Sequence, residues 1–253
     1  MSAAEGAASP AGRFDGFVLA ALALVAWQAV GRWTEGIAIT PPLGTFAYLA
    51  GLLGTGMFWE HVQATLLAFL AAFALSAVLG LLLGLVLGLR RFAGDVAEPL
   101  LAGFYTIPKV TLYPVVLLLF GLGASAKIAF GVMHGLVPVT LFTLGAVKTL
   151  PPVLIRTARA MRLDGWATMR TVLVPACLPQ IVNGLRIGFS LSLLGVLIGE
   201  MFSSQRGLGF LLVNGLAQHN VPLTTAVVLV IVAGAIAANT AMLRLGRRLV
   251  LGG

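Results

Sequence analysis

Residues 156–200 read RTARAMRLDGWATMRTVLVPACLPQIVNGLRIGFSLSLLGVLIGE. The segment opens on a basic run, passes Pro175 and Pro179, re-enters apolar sequence and stops at a lone glutamate, Glu200. Arginine at the centre of a membrane helix is costly, so Arg156, Arg159, Arg162 and Arg170 are expected outside the bilayer. A long arginine-rich loop inside an otherwise lipid-soluble chain calls for a soluble partner. The pattern predicts a membrane subunit driven by another protein.

The chain of 253 residues is 59% hydrophobic and 9% charged, with a mean hydropathy of +1.04. Soluble domains carry about 25% charged residues. A chain with so few could not keep a soluble surface wet, so the bilayer is its expected solvent. The apolar runs extend along the whole length, which predicts a single membrane domain over 15–253. Residues 1–14 are small and polar, lack the basic stretch of a signal peptide and are expected to form a disordered tail. The net charge of +8 is read as the lysine and arginine bias of cytoplasmic loops, with no nucleic-acid partner. The one cysteine, Cys177, excludes an intramolecular disulfide and is expected to be inert packing.

A spanning helix needs about 20 mostly apolar residues. Six runs qualify: 17–31, 63–89, 100–120, 128–147, 178–201 and 221–243. Arg13, Arg90, Arg91, Lys148, Arg156, Arg159, Arg162, Arg170, Arg244, Arg247 and Arg248 flank them on one side; Arg32, Lys127 and Arg206 flank them on the other. The richer side is expected to be cytoplasmic, with both termini on that side of the membrane. Gly80, Gly84 and Gly88 recur every four residues, a spacing that lets backbones approach within the chain or between subunits.

The loop over 148–175 is the only sizeable piece expected outside the bilayer. Pro151-Pro152 ends the preceding helix, and 153–164 is predicted to form a short helix. Arg156, Arg159 and Arg162 then share about a third of its surface. Val153, Leu154, Ala158 and Met161 fall mostly opposite, and Gly165 is the expected C-terminal stop. Such a helix either lies on anionic lipid or acts as a lever docked in a soluble protein. Spacing does not separate the two.

The same loop resembles the cytoplasmic signature of ABC-importer permeases of the binding-protein-dependent type. That signature runs Glu-Ala-Ala, three residues, Gly, nine residues, Ile, one residue, Leu-Pro. Counting back from Pro175 sets Ala158 on the second alanine, Val172 on the isoleucine and Val174 on the leucine. Arg156 stands in place of the glutamate, Thr157 of the first alanine and Arg162 of the glycine. The lost glycine is expected to move the helix break to Gly165. TIPKVTLYPVVLLLFGLGASAKI over 106–128, LPQIVNGLRIG over 178–188, Glu200-Met201 and the Gly207-Leu208-Gly209 turn resemble the nitrate/sulfonate/taurine branch.

The resemblance implies an all-α integral membrane fold: six transmembrane helices of the type I importer permease, with a coupling helix between helices 4 and 5. Arg156, Ala158, Arg159, Ala160, Met161, Arg162, Asp164, Gly165 and Pro175 would transmit ATPase closure. Implied partners are a second permease copy, two cytoplasmic ATP-binding subunits, a periplasmic or lipid-anchored substrate-binding protein and membrane lipid. The implied cargo is a small anion or organic acid, such as a sulfonate, nitrate, taurine or an aromatic carboxylate. This chain has no G-x-x-x-x-G-K-[ST] phosphate loop, so ATP and Mg are expected in the partner subunits and no cofactor in this one.

Lys109, Asn183, Ser190, Ser192 and Glu200 are the candidates for a translocation path or gate. Intramembrane ionisable groups tend to be functional. Glu200 acts as a gate or structural element, or simply reaches water at the interface. Lys109 faces the pore or a partner, or snorkels. The hydroxyls line a polar path or bond their own backbone. Arg186 is expected to snorkel, and His134, without metal-spaced companions, to pack. No nucleophile–base pair or metal constellation is visible, which argues against an intramembrane enzyme. An ion-gradient-driven secondary transporter would want midplane charges and paired broken helices; the sequence shows few of the former and no internal repeat.

Overall fold

The computed structural model describes residues 10–251, which are helices and connecting turns with no strand among them. Among the described residues, four helices are long and apolar enough to cross a membrane: Gly56–Leu89, Ala124–Lys148, Gly165–Ser203 and Val221–Gly246; a bent pair, Arg91–Thr106 with Lys109–Phe120, makes five if it counts as one span. Their outward surfaces are greasy. Leu66, Leu67, Leu70, Val78, Leu82, Leu83 and Val86 all stand exposed on one helix. An apolar surface of this extent marks a side that faces lipid or another membrane helix.

The chain divides into two compact units. The first comprises 1–58 and 212–230. It holds α1 (Pro10–Trp33) and α2 (Pro42–Leu53). Pro10 already opens α1, so the expected tail over 1–14 is helical from residue 10; the rest of it lies outside the described residues. The apolar part of α1, Val18–Trp33, is short for a span. Trp27 Nε1 donates to Thr40 O at 2.9 Å, and Thr40 N–H donates to Thr225 Oγ1 at 3.3 Å. The short α2 was not foreseen from sequence.

The second unit comprises 59–211 and 231–253. It is built from α3 (Gly56–Leu89), α4 (Arg91–Thr106), α5 (Tyr113–Phe120), α6 (Ala124–Lys148), α7 (Pro152–Ala160), α8 (Gly165–Thr168) and α9 (Val174–Ser203). The start of α10 (Leu208–Ala217) and the end of α11 (Val221–Leu251) complete it.

Of the long spans α6 is the most buried, and glycine explains how. A Cβ on Gly80 would lie 2.7 Å from Val139 Cβ, on Gly84 2.5 Å from Thr143 Cβ, and on Gly88 2.7 Å from Val147 Cβ. The three-glycine stripe of α3 is thus spent inside the chain, against α6. On the other side Gly195 and Gly199 of α9 press on Gly131 and Lys127, with a Cβ at either meeting a Cα at 2.9 Å. Without a hydrophobic effect to drive helices together in lipid, this contact supplies the dispersion that holds them.

The run over 100–120, expected to be one helix, is broken. α4 and the helical stretch that follows meet at 90°. Pro108 drives its neighbour Ile107 out of the α region, to φ −64 and ψ 132. A single 3-10 turn, Lys109–Leu112, restarts the chain toward α5. Gly121 and Gly123, at φ +72 and +116, make the turn into α6, a backbone path that residues with a Cβ resist.

The expected start of the fifth span near residue 178 also moves. Helical structure runs unbroken from Gly165 to Ser203, through both prolines. A π-turn, Met169–Leu173, precedes Pro175, and Val174 N–H reaches back five residues to Met169 O. Widening the ladder by one residue accommodates the donor that proline lacks.

Candidate functional site

The basic loop leaves α6 at Pro151-Pro152. Pro152 is the first residue of α7, where a missing N–H costs nothing. Ala158 is buried, while Arg156, Arg159 and Arg162 are exposed. The apolar face is left open: Val153 and Met161 are exposed as well, Met161 by 65%.

α7 ends at Ala160, and the left-handed residue that closes it is Arg162, not Gly165. Arg162 adopts φ 52; its N–H donates to Arg159 O at 3.0 Å and the next N–H, Leu163, to Ala158 O at 3.1 Å. This pair of bonds is a Schellman cap, in which the left-handed residue is usually glycine. Gly165 instead opens α8, because Asp164 Oδ1 accepts from Ala167 N–H at 2.6 Å and caps that helix. The cap turns Trp166 outward, 71% exposed. The loop therefore presents two large apolar side chains, Met161 and Trp166, among exposed arginines.

A second constellation surrounds Glu200, whose side chain is fully buried. Its Oε1 accepts from Lys127 Nζ at 2.9 Å. Its Oε2 accepts from Thr65 Oγ1 at 2.8 Å and from Gly209 N–H at 3.0 Å. Thr65 Oγ1 in turn accepts from Leu208 N–H at 2.8 Å, and His61 Nδ1 accepts from Gly207 N–H at 3.0 Å. One carboxylate thus ties α3, α6 and α9 to the turn leading into α10. A buried carboxylate that is paired and fully hydrogen-bonded tolerates low dielectric. The interfacial reading, in which Glu200 reaches water, is excluded by its burial.

Lys109 does not lie mid-helix. It begins the turn after the Pro108 break and is buried. Its Nζ donates to Tyr105 O at 3.2 Å and stands 4.8 Å from the Tyr105 ring centroid. A cation at the C-terminal end of α4 meets carbonyls left unpaired by the break.

Ser192 is buried and lies 3.3 Å from Ser76 Oγ, so it joins α9 to α3. Asn183 and Ser190 instead line an open cavity of about 560 Å³ with Tyr105, Phe142, Arg186 and Asn239. Arg186 is half-buried, and its Nε–H donates to Asn239 Oδ1 at 3.3 Å. His134 Nδ1 bonds Phe130 O at 2.9 Å, and no group of metal-ligating residues occurs among the described residues.

Residues 76–251 match the family of binding-protein-dependent transport system inner membrane components. The chain belongs to that family. It is 35% identical to the riboflavin transport system permease protein RibX of Chloroflexus aurantiacus over 194 residues, 76% of this chain and 72% of that one. It is 28% identical to the taurine transport system permease protein TauC of Escherichia coli over 198 residues, 76% and 72% of the two chains. Its fold matches a chain of the MetNI methionine ABC transporter in an inward-facing conformation, with a TM-score of 0.60 and 22% identity over 76% of this chain and 95% of that one.

In this permease, sequence reasoning missed several participants: Thr65, His61, Trp166 and Asn239, and Lys127 as the partner of Glu200. Lys127 and Glu200 carried a usable signal. Both are single charges of opposite sign beside apolar runs, near the same expected membrane face, and intramembrane charges tend to pair. Trp166 was legible only as an aromatic in a basic loop.

Proposed function

We propose that this permease is the pore subunit of an ATP-driven importer whose cargo is a small anion or organic acid handed over by an external binding protein. Two copies of the chain would form the pore. Two ATP-binding subunits, which hold ATP and Mg, would sit on the α7–α8 loops at the cytoplasmic face, where both termini also lie. The observation that carries this reading is the exposure of Met161 and Trp166 beside Arg156, Arg159 and Arg162. Exposed aromatic, methionine and arginine side chains are the residues enriched at protein interfaces. Trp166 stands on α8, beyond the Arg162 turn, and so extends the exposed apolar surface past the single face of α7 that lying on lipid would need.

ATPase closure around ATP would pull both α7 levers together and favour the outward-open pore. Such a shift requires ATP and loaded binding protein each to prefer that state; moving the ratio from 1:99 to 99:1 takes about 5.5 kcal/mol of differential binding. The relatives named for taurine and riboflavin, together with those named for aliphatic sulfonates and formylaminopyrimidine, support a small polar organic cargo.

Replacing Arg159 and Met161 together by Asp tests the lever. Expected are normal insertion, loss of the bound ATP-binding subunit and uptake reduced at least tenfold. Wild-type uptake with both residues changed would refute the assignment.

A further inference from the structure

The cavity lined by Asn183, Arg186, Ser190 and Asn239 has an unbalanced charge. Among the described residues, Arg186 has no carboxylate partner; the ion pairs there are Lys127 with Glu200 and Lys148 with Asp95 and Glu98. One Nε–H bond to Asn239 is the only hydrogen bond its side chain makes among those residues, which leaves both Nη groups unspent. No acidic residue lines the cavity. Arg186 lies 17 residues before the end of α9 at Ser203, about 25 Å along the helix axis. Set against a hydrocarbon core of about 30 Å, that places Arg186 near the inner boundary of the membrane, where a half-buried guanidinium still attracts an anion more strongly than in bulk water.

We propose that this cavity is an anion-binding station on the translocation path, with Arg186 holding the oxyanion group of an organic cargo. The proposal rests on the pore-subunit reading above and specifies the site within it. The guanidinium presents a planar fork that fits a carboxylate or sulfonate through paired N–H donors. Asn239 spends its carbonyl on Nε and keeps its amide donors free. Asn183 adds an amide from the same face of α9, one turn before Arg186. Phe142, Ile187 and Leu191 supply apolar wall for the cargo body. The volume of about 560 Å³ falls in the range of small-molecule sites. Asn239 positions Arg186: its bond stops the guanidinium from swinging to the membrane surface.

The test uses the native cysteine count. Cys177 is the only cysteine and is buried, so a Cys177→Ala background carrying Asn183→Cys offers one thiol in the cavity. The full chain in zwitterionic-lipid nanodiscs is treated with two methanethiosulfonates of similar size, one bearing a sulfonate and one a quaternary ammonium. With Arg186 present the sulfonate reagent is expected to react roughly tenfold faster relative to the cationic one than with Arg186→Gln, as a unit charge a few ångströms away would dictate. Arg186→Lys keeps most of the preference, which separates charge from misfolding. Ethanesulfonate slows the labelling; a neutral alcohol of equal size does not. A rate ratio unmoved by Arg186→Gln in a monodisperse sample overturns the proposal. Protection by added phosphatidylglycerol but not by ethanesulfonate assigns the anion to a lipid headgroup and overturns the cargo role. Failure of the pore-subunit reading shows separately, as a chain that recruits no ATPase.

Discussion

Glu200 Oε1 and Lys127 Nζ stand 2.9 Å apart with both side chains closed to solvent. Each is costly alone in that setting and tolerable together. Removing one charge strands the other, a change worth about 3–5 kcal/mol for buried pairs. Glu200→Gln is therefore expected to lower the thermal midpoint sharply in detergent. Adding Lys127→Met to Glu200→Gln should recover most of the loss, because no unpaired charge remains. A double-mutant cycle read by thermal unfolding checks this; additive losses would contradict the pairing.

Gly207 turns the chain at φ +128, and a Cβ there would lie 2.1 Å from Glu200 Cδ. Gly207→Ala meets both a backbone penalty and an overlap with a side chain pinned by its partners. Overpacking alone costs roughly 1–3 kcal/mol. Gly165→Ala, where nothing lies within 4 Å, is the control and should be near neutral. Comparison of purified yield and unfolding temperature of the two variants distinguishes them.

Arg162 holds a left-handed conformation that a side chain resists by about 1–2 kcal/mol. Arg162→Gly is expected to firm the end of α7 and slow hydrogen exchange at Arg162 and Leu163 roughly fivefold, corresponding to about 1 kcal/mol. Arg162→Val should speed exchange. Faster exchange in the glycine variant would show that the cap depends on the arginine side chain.

Trp166 and Met161 are both exposed. If both dock into an ATPase subunit, Trp166→Ala should weaken that association at least tenfold, about 1.4 kcal/mol, as expected for an aromatic anchor. Surface-plasmon measurement with the purified partner reads the change. An unaltered affinity would leave Trp166 outside the interface.

The sequence made some of this architecture plain and hid the rest for physical reasons. The apolar runs over 63–89, 128–147, 178–201 and 221–243 all sit within helices, because a membrane span is a local property of about 20 residues. The break at Pro108 was signalled by a proline inside an apolar run, yet hydropathy does not register a bend. The Arg162 turn defied the glycine rule because the Schellman bonds formed regardless. Gly80, Gly84 and Gly88 announced a close contact but not its partner, which lies on α6. Pairings such as Lys127 with Glu200 and Arg186 with Asn239 join residues 73 and 53 apart, and no local pattern encodes them.

The proposal that this permease borrows its energy through the α7–α8 loop has a direct test. The direct measurement is purification of the tagged full-length chain in mild detergent from its own host, with co-purifying proteins identified by mass spectrometry. A soluble subunit bearing a G-x-x-x-x-G-K-[ST] phosphate loop should be recovered with the wild-type chain and lost with Arg159→Asp and Met161→Asp combined. A stable chain recovered alone, and able to transport in vesicles without ATP, would contradict the account.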